Sequence, residues 1–183
     1  MVSAKKVLPV ALALSSLFLA VACSSTNLPV HAEYEIDQRH SYEKGFYKDD
    51  RIADFYLSDG SNYYSSLKPG SANLLLFWAD WCPHCTSLVE RMVASPVRDK
   101  VASNLVAVAE ETSDLKKIEA LAPRLRFQDE NWRVFDQQGL EHVPALFVVD
   151  GSGRVLGSAE GGEACESLLK QYESNLDKSN EEG

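Results

Sequence analysis

A chain of 183 residues with 45% hydrophobic and 25% charged side chains has the composition of ordinary globular material and the length for one domain with appendages. Its formal net charge of −9 argues against nucleic acid or an anionic lipid surface as a partner. No internal repeat organises it.

Lys5 and Lys6 precede an apolar stretch from Val7 to Ala22, too short and wrongly flanked for a transmembrane helix, so residues 1–22 read as a secretory signal. The stretch ends in Leu19-Ala-Val-Ala-Cys23-Ser-Ser. A small residue before a cysteine at this place resembles the bacterial lipobox, in which the cysteine is acylated and becomes the mature N-terminus. Ala20 departs from the Leu, Val or Ile usual there. Two readings stand: acylation of Cys23, which is preferred, and an ordinary cut after Ala20-Val-Ala22. The resemblance implies a lipid anchor in a membrane, and Ser24 beside the cysteine fits the outer membrane of a Gram-negative source. Without Lys5 and Lys6, 16 basic residues face 27 acidic ones, a net charge near −11. Residues 23–50 are polar, with scattered aromatics and no period, and read as a tether. His31 and His40 within it have no companions at metal-ligand spacing and read as surface histidines.

The folded domain is expected over residues 51–177, with 178–183 a tail. Phe55 and Leu57 alternate with polar neighbours as in a half-buried strand, Ser58-Asp59-Gly60 is a turn signal, and Tyr63 to Leu67 is expected to pair back as a hairpin. Leu74 to Trp78 is a continuous apolar run, the pattern of a strand buried on both faces. Cys85, Leu88, Val89, Met92 and Val93 then repeat on one face of an amphipathic helix, which Pro96 closes. Leu105 to Val108 reads as a buried strand, Leu115, Ile118 and Leu121 as a short helix, Arg124 to Phe127 as a small edge strand, and Glu130 to Phe135 as helical, with Trp132 and Phe135 in the core. Ala145 to Val149 is a buried strand, Asp150 to Gly153 a hairpin turn and Arg154 to Leu156 its return. In the last helix Cys165, Leu168, Leu169, Tyr172 and Leu176 share a face, so Cys165 reads as a buried, inert thiol. The order of elements implies an α/β fold, a central mixed sheet flanked by helices.

Trp81-Cys-Pro-His-Cys85 falls where the apolar strand passes into the helix. A helix N-terminus presents free N–H groups and a partial positive charge, which favour a thiolate, so Cys82 is the expected nucleophile. Cys85, one turn on and facing the buried stripe, is the expected resolving thiol. Pro83 suits the first turn, where its missing N–H costs nothing, and His84 sets an imidazole beside the thiolate, making the disulfide more oxidising. A tight Cys-x-x-Cys stabilises little by loop closure, which argues against a merely structural pair.

With Trp81-Cys-Pro-His-Cys85 after one apolar strand and Val143-Pro144 before another, the stretch from about Ile52 to Leu176 resembles the thioredoxin superfamily. The segments Ala53 to Gly60 and Phe77 to Cys82 look most like extracytoplasmic, membrane-tethered TlpA/ResA-type proteins. Pro83-His84 and Val143-Pro-Ala145 are instead the sequences that DsbA-type oxidases show. The resemblance implies a thioredoxin-like fold and thiol:disulfide oxidoreductase activity on protein cysteines, with a membrane redox partner, a periplasmic or other extracytoplasmic location and no cofactor. It also implies that Pro144 is a cis-proline facing the Cys pair, that Val143 offers its backbone to the substrate, and that Trp81 walls the substrate groove. His142 falls at the rim. Oxidase ranks ahead of reductase for cytochrome maturation, because the dipeptide favours the oxidising end of a range from about −270 to about −120 mV. No dimerisation segment is evident, so an isomerase is disfavoured and a monomer expected. The alternative of another class is a Cu- or Zn-binding module using Cys82, Cys85 and a histidine. The family's buried Asp on the strand before the motif is replaced by Leu76, which leaves Glu110 and Glu111 as the nearest proton-transfer candidates by topology, although solvated strand-end carboxylates are the preferred reading for both.

Overall fold

The computed structural model describes residues 50–57, 60–121 and 123–178. The expected signal, the tether and Cys23 lie outside the described residues, as do Ser58 and Asp59 of the expected turn. Among the described residues no helix is long and apolar enough to cross a membrane.

Five strands form one sheet in the order β3-β2-β1-β4-β5: β1 (Asn73–Trp78), β2 (Leu105–Glu110), β3 (Leu125–Asp129), β4 (Ala145–Val149) and β5 (Val155–Glu160). β1, β2 and β3 run parallel, while β4 is antiparallel to β1 and β5 antiparallel to β4. The mixed sheet is therefore the expected one. Its faces are set by strand alternation. Leu74, Leu76 and Trp78 of β1 face the side covered by α2 (Pro83–Val93), α3 (Arg98–Asn104) and α6 (Gly162–Lys178), where Leu88, Met92, Val101, Leu169 and Tyr172 complete a dry cluster. Leu75 and Phe77 face the opposite side, with Ile52, Tyr63 of α1 (Tyr63–Ser66) and Phe135 of α5 (Arg133–Gln137). There Phe77 meets Phe135 and Phe147 edge to face, at ring centroid distances of 6.1 and 6.2 Å.

Local chemistry overrode several expectations. Phe55 and Leu57 are buried with Tyr56 exposed between them, so the alternation is real, but pairing is a single bridge from Tyr56 to Asn62. The expected hairpin return is a helical turn, because Asn62 caps it: its side chain accepts from the Ser65 N–H at 2.8 Å, and Tyr63 stacks on Phe55 at 4.7 Å. α3 was not expected; Val101 and Ala102 bury it against the sheet. The short helix α4 (Lys116–Glu119) is centred on buried Ile118, with Leu121 buried just beyond it. β3 is the expected edge strand, beginning one residue later and ending two residues later than read. The segment read as one helix from Glu130 to Phe135 is broken: a 3-10 turn spans Glu130–Trp132, and Asn131 and Trp132 have φ of 54° and 55°, before α5 begins. Buried Asp129 imposes the restart by accepting from the N–H groups of Val134 and Phe135, each at 2.9 Å.

Candidate active site around the Cys pair

The antiparallel register of β1 and β4 brings the site together. Phe77 pairs with Ala145, so the end of β1 lies beside the start of β4, and the segments just outside the two strands must meet. These segments carry the Cys pair and Val143-Pro144.

Cys82 is the N-cap residue of α2, with Pro83 in the first helical turn. Its sulfur accepts from the Cys85 N–H at 3.4 Å and its thiol donates to the Val143 carbonyl at 3.5 Å. Cys82 is 5% exposed and Cys85 is fully buried; both are free thiols. Burial pushes the Cys85 thiol well above its ordinary range, with Cys82 and Cys165 adding to the effect and a backbone hydrogen bond from Ala79 opposing it. The pair thus combines a sulfur at the mouth of the site, facing an amide donor, with a second sulfur held protonated behind it.

The Val143–Pro144 peptide is cis, and Pro144 is buried. Trp81 stands 62% exposed beside the motif, whereas Trp78 is a core residue. His142 is exposed; its backbone N–H donates to Glu160 at 3.0 Å, and its Nδ1 lies 3.9 Å from the same carboxylate.

One placement differs from expectation. Glu110 is not a solvated strand-end carboxylate: it is buried and accepts from the Thr112 N–H and hydroxyl and the Ser113 hydroxyl. Glu111 accepts from the Asn131 N–H at 2.6 Å. Both carboxylates are thus committed to loop contacts, and the side chains acting on Cys85 are Cys82 and Cys165. Asp80 is half-buried and ties the turn before the motif to its neighbour: its N–H donates to Ser113 Oγ at 3.1 Å and its carboxylate lies 3.5 Å from Lys117 Nζ. Cys165 is buried, with burial pushing its thiol up, as an inert thiol should be. It nevertheless sits in the site, its thiol donating to the carbonyls of Pro144 and Ala159, both at 3.3 Å.

Sequence reasoning passed over the first turn of α6. The Gly161 N–H donates to the Pro144 carbonyl at 2.8 Å, and a Cβ on Gly162 would stand 2.7 Å from His84 Nδ1. The Gly161-Gly162 pair ahead of the last helix was the available signal. Among the described residues no group of three or more His, Cys, Asp or Glu side chains is placed to hold a metal ion.

This is the thioredoxin fold. Over 72% of the chain and 99% of the other, it matches a protein from Chlorobium tepidum described as the thiol:disulfide interchange protein DsbE, with a TM-score of 0.53 and 24% identity. The thioredoxin domain of a thiol-disulfide oxidoreductase from Bacteroides vulgatus matches over 70% and 99%, with a TM-score of 0.52 and 13% identity. In sequence, 111 residues are 32% identical to a protein disulfide-isomerase from Medicago sativa, covering 61% of this chain. The chain spans 18% of the length of that relative. No family model matches.

Proposed function

We propose that the protein is an extracytoplasmic thiol:disulfide oxidoreductase acting on protein cysteines. The observation that carries this reading is the seat of Cys82, capped by the Cys85 N–H and turned toward the Val143 carbonyl beside a cis-proline. The chemistry is a two-step exchange. In the oxidising direction a substrate thiolate attacks Cys82 Sγ of the Cys82–Cys85 disulfide, that S–S bond breaks, and Cys85 leaves as a thiolate that takes up a proton. A second substrate thiolate then attacks the substrate sulfur of the mixed disulfide. Cys82 leaves as a thiolate, the substrate has lost two electrons, and the enzyme has gained them. In the reducing direction Cys82 thiolate opens the substrate disulfide, and Cys85, once deprotonated, attacks Cys82 to release the reduced substrate.

Val143 and Pro144 form the edge against which the substrate chain lies, and exposed Trp81 its wall. The Pro83-His84 dipeptide favours the oxidase direction, with a membrane redox partner restoring the disulfide. Reductase is the second reading, favoured by the TlpA/ResA-like segments around Phe55 and Trp78. The leader at residues 1–22 and the polar stretch 23–50 support export and tethering, with acylation at Cys23 as the anchor. Cys82→Ser should abolish exchange with a disulfide substrate, and Cys85→Ser should accumulate mixed disulfides on Cys82. Full activity in both variants would overturn the assignment. Mass spectrometry of the mature N-terminus tests the anchor, where a free Cys23 or Ser24 amine would count against it.

A further inference from the structure

Gly162 opens α6 and faces the active-site dipeptide. A Cβ built on it would lie 2.7 Å from His84 Nδ1 and 2.9 Å from Cγ, closer than real Cβ atoms come, and 3.0 Å from the His84 Cβ, a tight approach. The clash reaches back to the His84 Cβ, next to the backbone of the first turn of α2, so rotating the ring away relieves only part of it. The imidazole thus rests directly on the α6 backbone. The same turn holds the other wall of the site, since Gly161 N–H and Cys165 Sγ both donate to the carbonyl of Pro144. One helical turn therefore contacts one of the two residues between the cysteines and the cis-proline.

We propose that Gly162 is a positioning residue for the redox pair: its missing side chain leaves the space in which His84 is seated, and the first turn of α6 thereby fixes the imidazole relative to Cys82 and Pro144. This rests on the oxidoreductase reading and adds to it a determinant of redox poise outside the Cys-x-x-Cys motif. His84 is exposed, but contact with the α6 backbone restricts the positions from which its ring acts on the Cys82 sulfur, whereas a displaced ring samples more of them and its effect is diluted. Substitution at Gly162 should then behave as a partial loss of His84, although it touches neither cysteine.

The test is a double-mutant cycle of Gly162→Ala with His84→Ala, read as the equilibrium constant of the Cys82–Cys85 pair against glutathione. Gly162→Ala alone should shift that constant roughly three- to tenfold toward the reducing side, each tenfold being about 30 mV, with the same sign as His84→Ala. In the His84→Ala background the same change should have less than about half that logarithmic effect, because the ring is already gone and only the approach to Cβ remains. No shift in the wild-type background, or an equal shift in both, would overturn the proposal. The imidazole resonances of His84 should also move in Gly162→Ala; if they stay in place, the seat is refuted whatever the potential does. Alanine is the better helix former, so folding is not opposed by propensity. A Gly162→Ala protein that folds only in the His84→Ala background would support the contact, and one that folds in neither would contradict it. A wild-type pair with no glutathione-dependent transition would instead sink the oxidoreductase reading, while the resonances would still report on the seat.

Discussion

The thiol of Cys82 donates to the carbonyl of Val143 across 3.5 Å, joining the residue that caps α2 to the residue before Pro144. Sixty-one positions separate the two in sequence, and the antiparallel pairing of β1 with β4 brings them together. A substrate strand laid along Val143 would therefore present its own sulfur at Cys82 without further rearrangement of the sheet.

Reactivity should divide the three described thiols. Cys85 and Cys165 are fully buried, with burial holding both protonated, while Cys82 lies at the mouth of the site. In the native reduced protein iodoacetamide should modify Cys82 at least about tenfold faster than the others, and denaturant should abolish the difference. Peptide mapping of the alkylated protein checks this; faster labelling of Cys85 or Cys165 would contradict the burial argument.

Stability should fall in alkali for the reduced form. Cys85 and Cys165 keep their protons in the folded state at pH values where an unfolded thiol, with pKa about 8.5, has lost them. The folded state then binds more protons than the unfolded one, so unfolding is favoured as pH rises above about 8.5, with a slope of up to roughly 1.4 kcal/mol per pH unit per thiol. Below that pH the contribution is fully present. Urea titrations between pH 7 and 10 should show the loss, and Cys165→Ala should reduce the slope by about one thiol's share.

Asp129 should matter to the fold without touching the chemistry. Its buried carboxylate holds the first free N–H groups of α5, at Val134 and Phe135. Asp129→Ala should cost about 2–3 kcal/mol and Asp129→Asn less, by chemical denaturation. The reduction potential of the Cys pair should stay unchanged in both.

That residue also marks the limit of what the sequence discloses. The β1 to α2 junction was legible because an unbroken apolar run, a Cys-x-x-Cys and a helical stripe follow one another, and each is a local signal. Asp129 was not, because a carboxylate at the end of a short edge strand looks solvated until its helix folds back over it. The turn capped by Asn62 was not legible, because four helical residues carry no period. In α3, Val101 and Ala102 alone give too little periodicity to disclose a helix. The seat of His84 on Gly162 joins residues on two different helices, and no spacing rule connects them.

The ranking of oxidase ahead of reductase rests on His84. His84→Pro should move the potential of the pair toward thioredoxin-like values, near about −270 mV, because the dipeptide loses its imidazole. An unchanged potential would remove the ground for ranking oxidase ahead of reductase.

The most direct test is the equilibrium of the Cys82–Cys85 pair in glutathione buffer, followed by mass after acid trapping. A single two-electron transition is expected, lost in Cys82→Ser and Cys85→Ser, with a potential nearer about −120 mV than about −270 mV. Absence of the transition would contradict the exchange mechanism, and a value at or below about −270 mV would contradict the oxidising role.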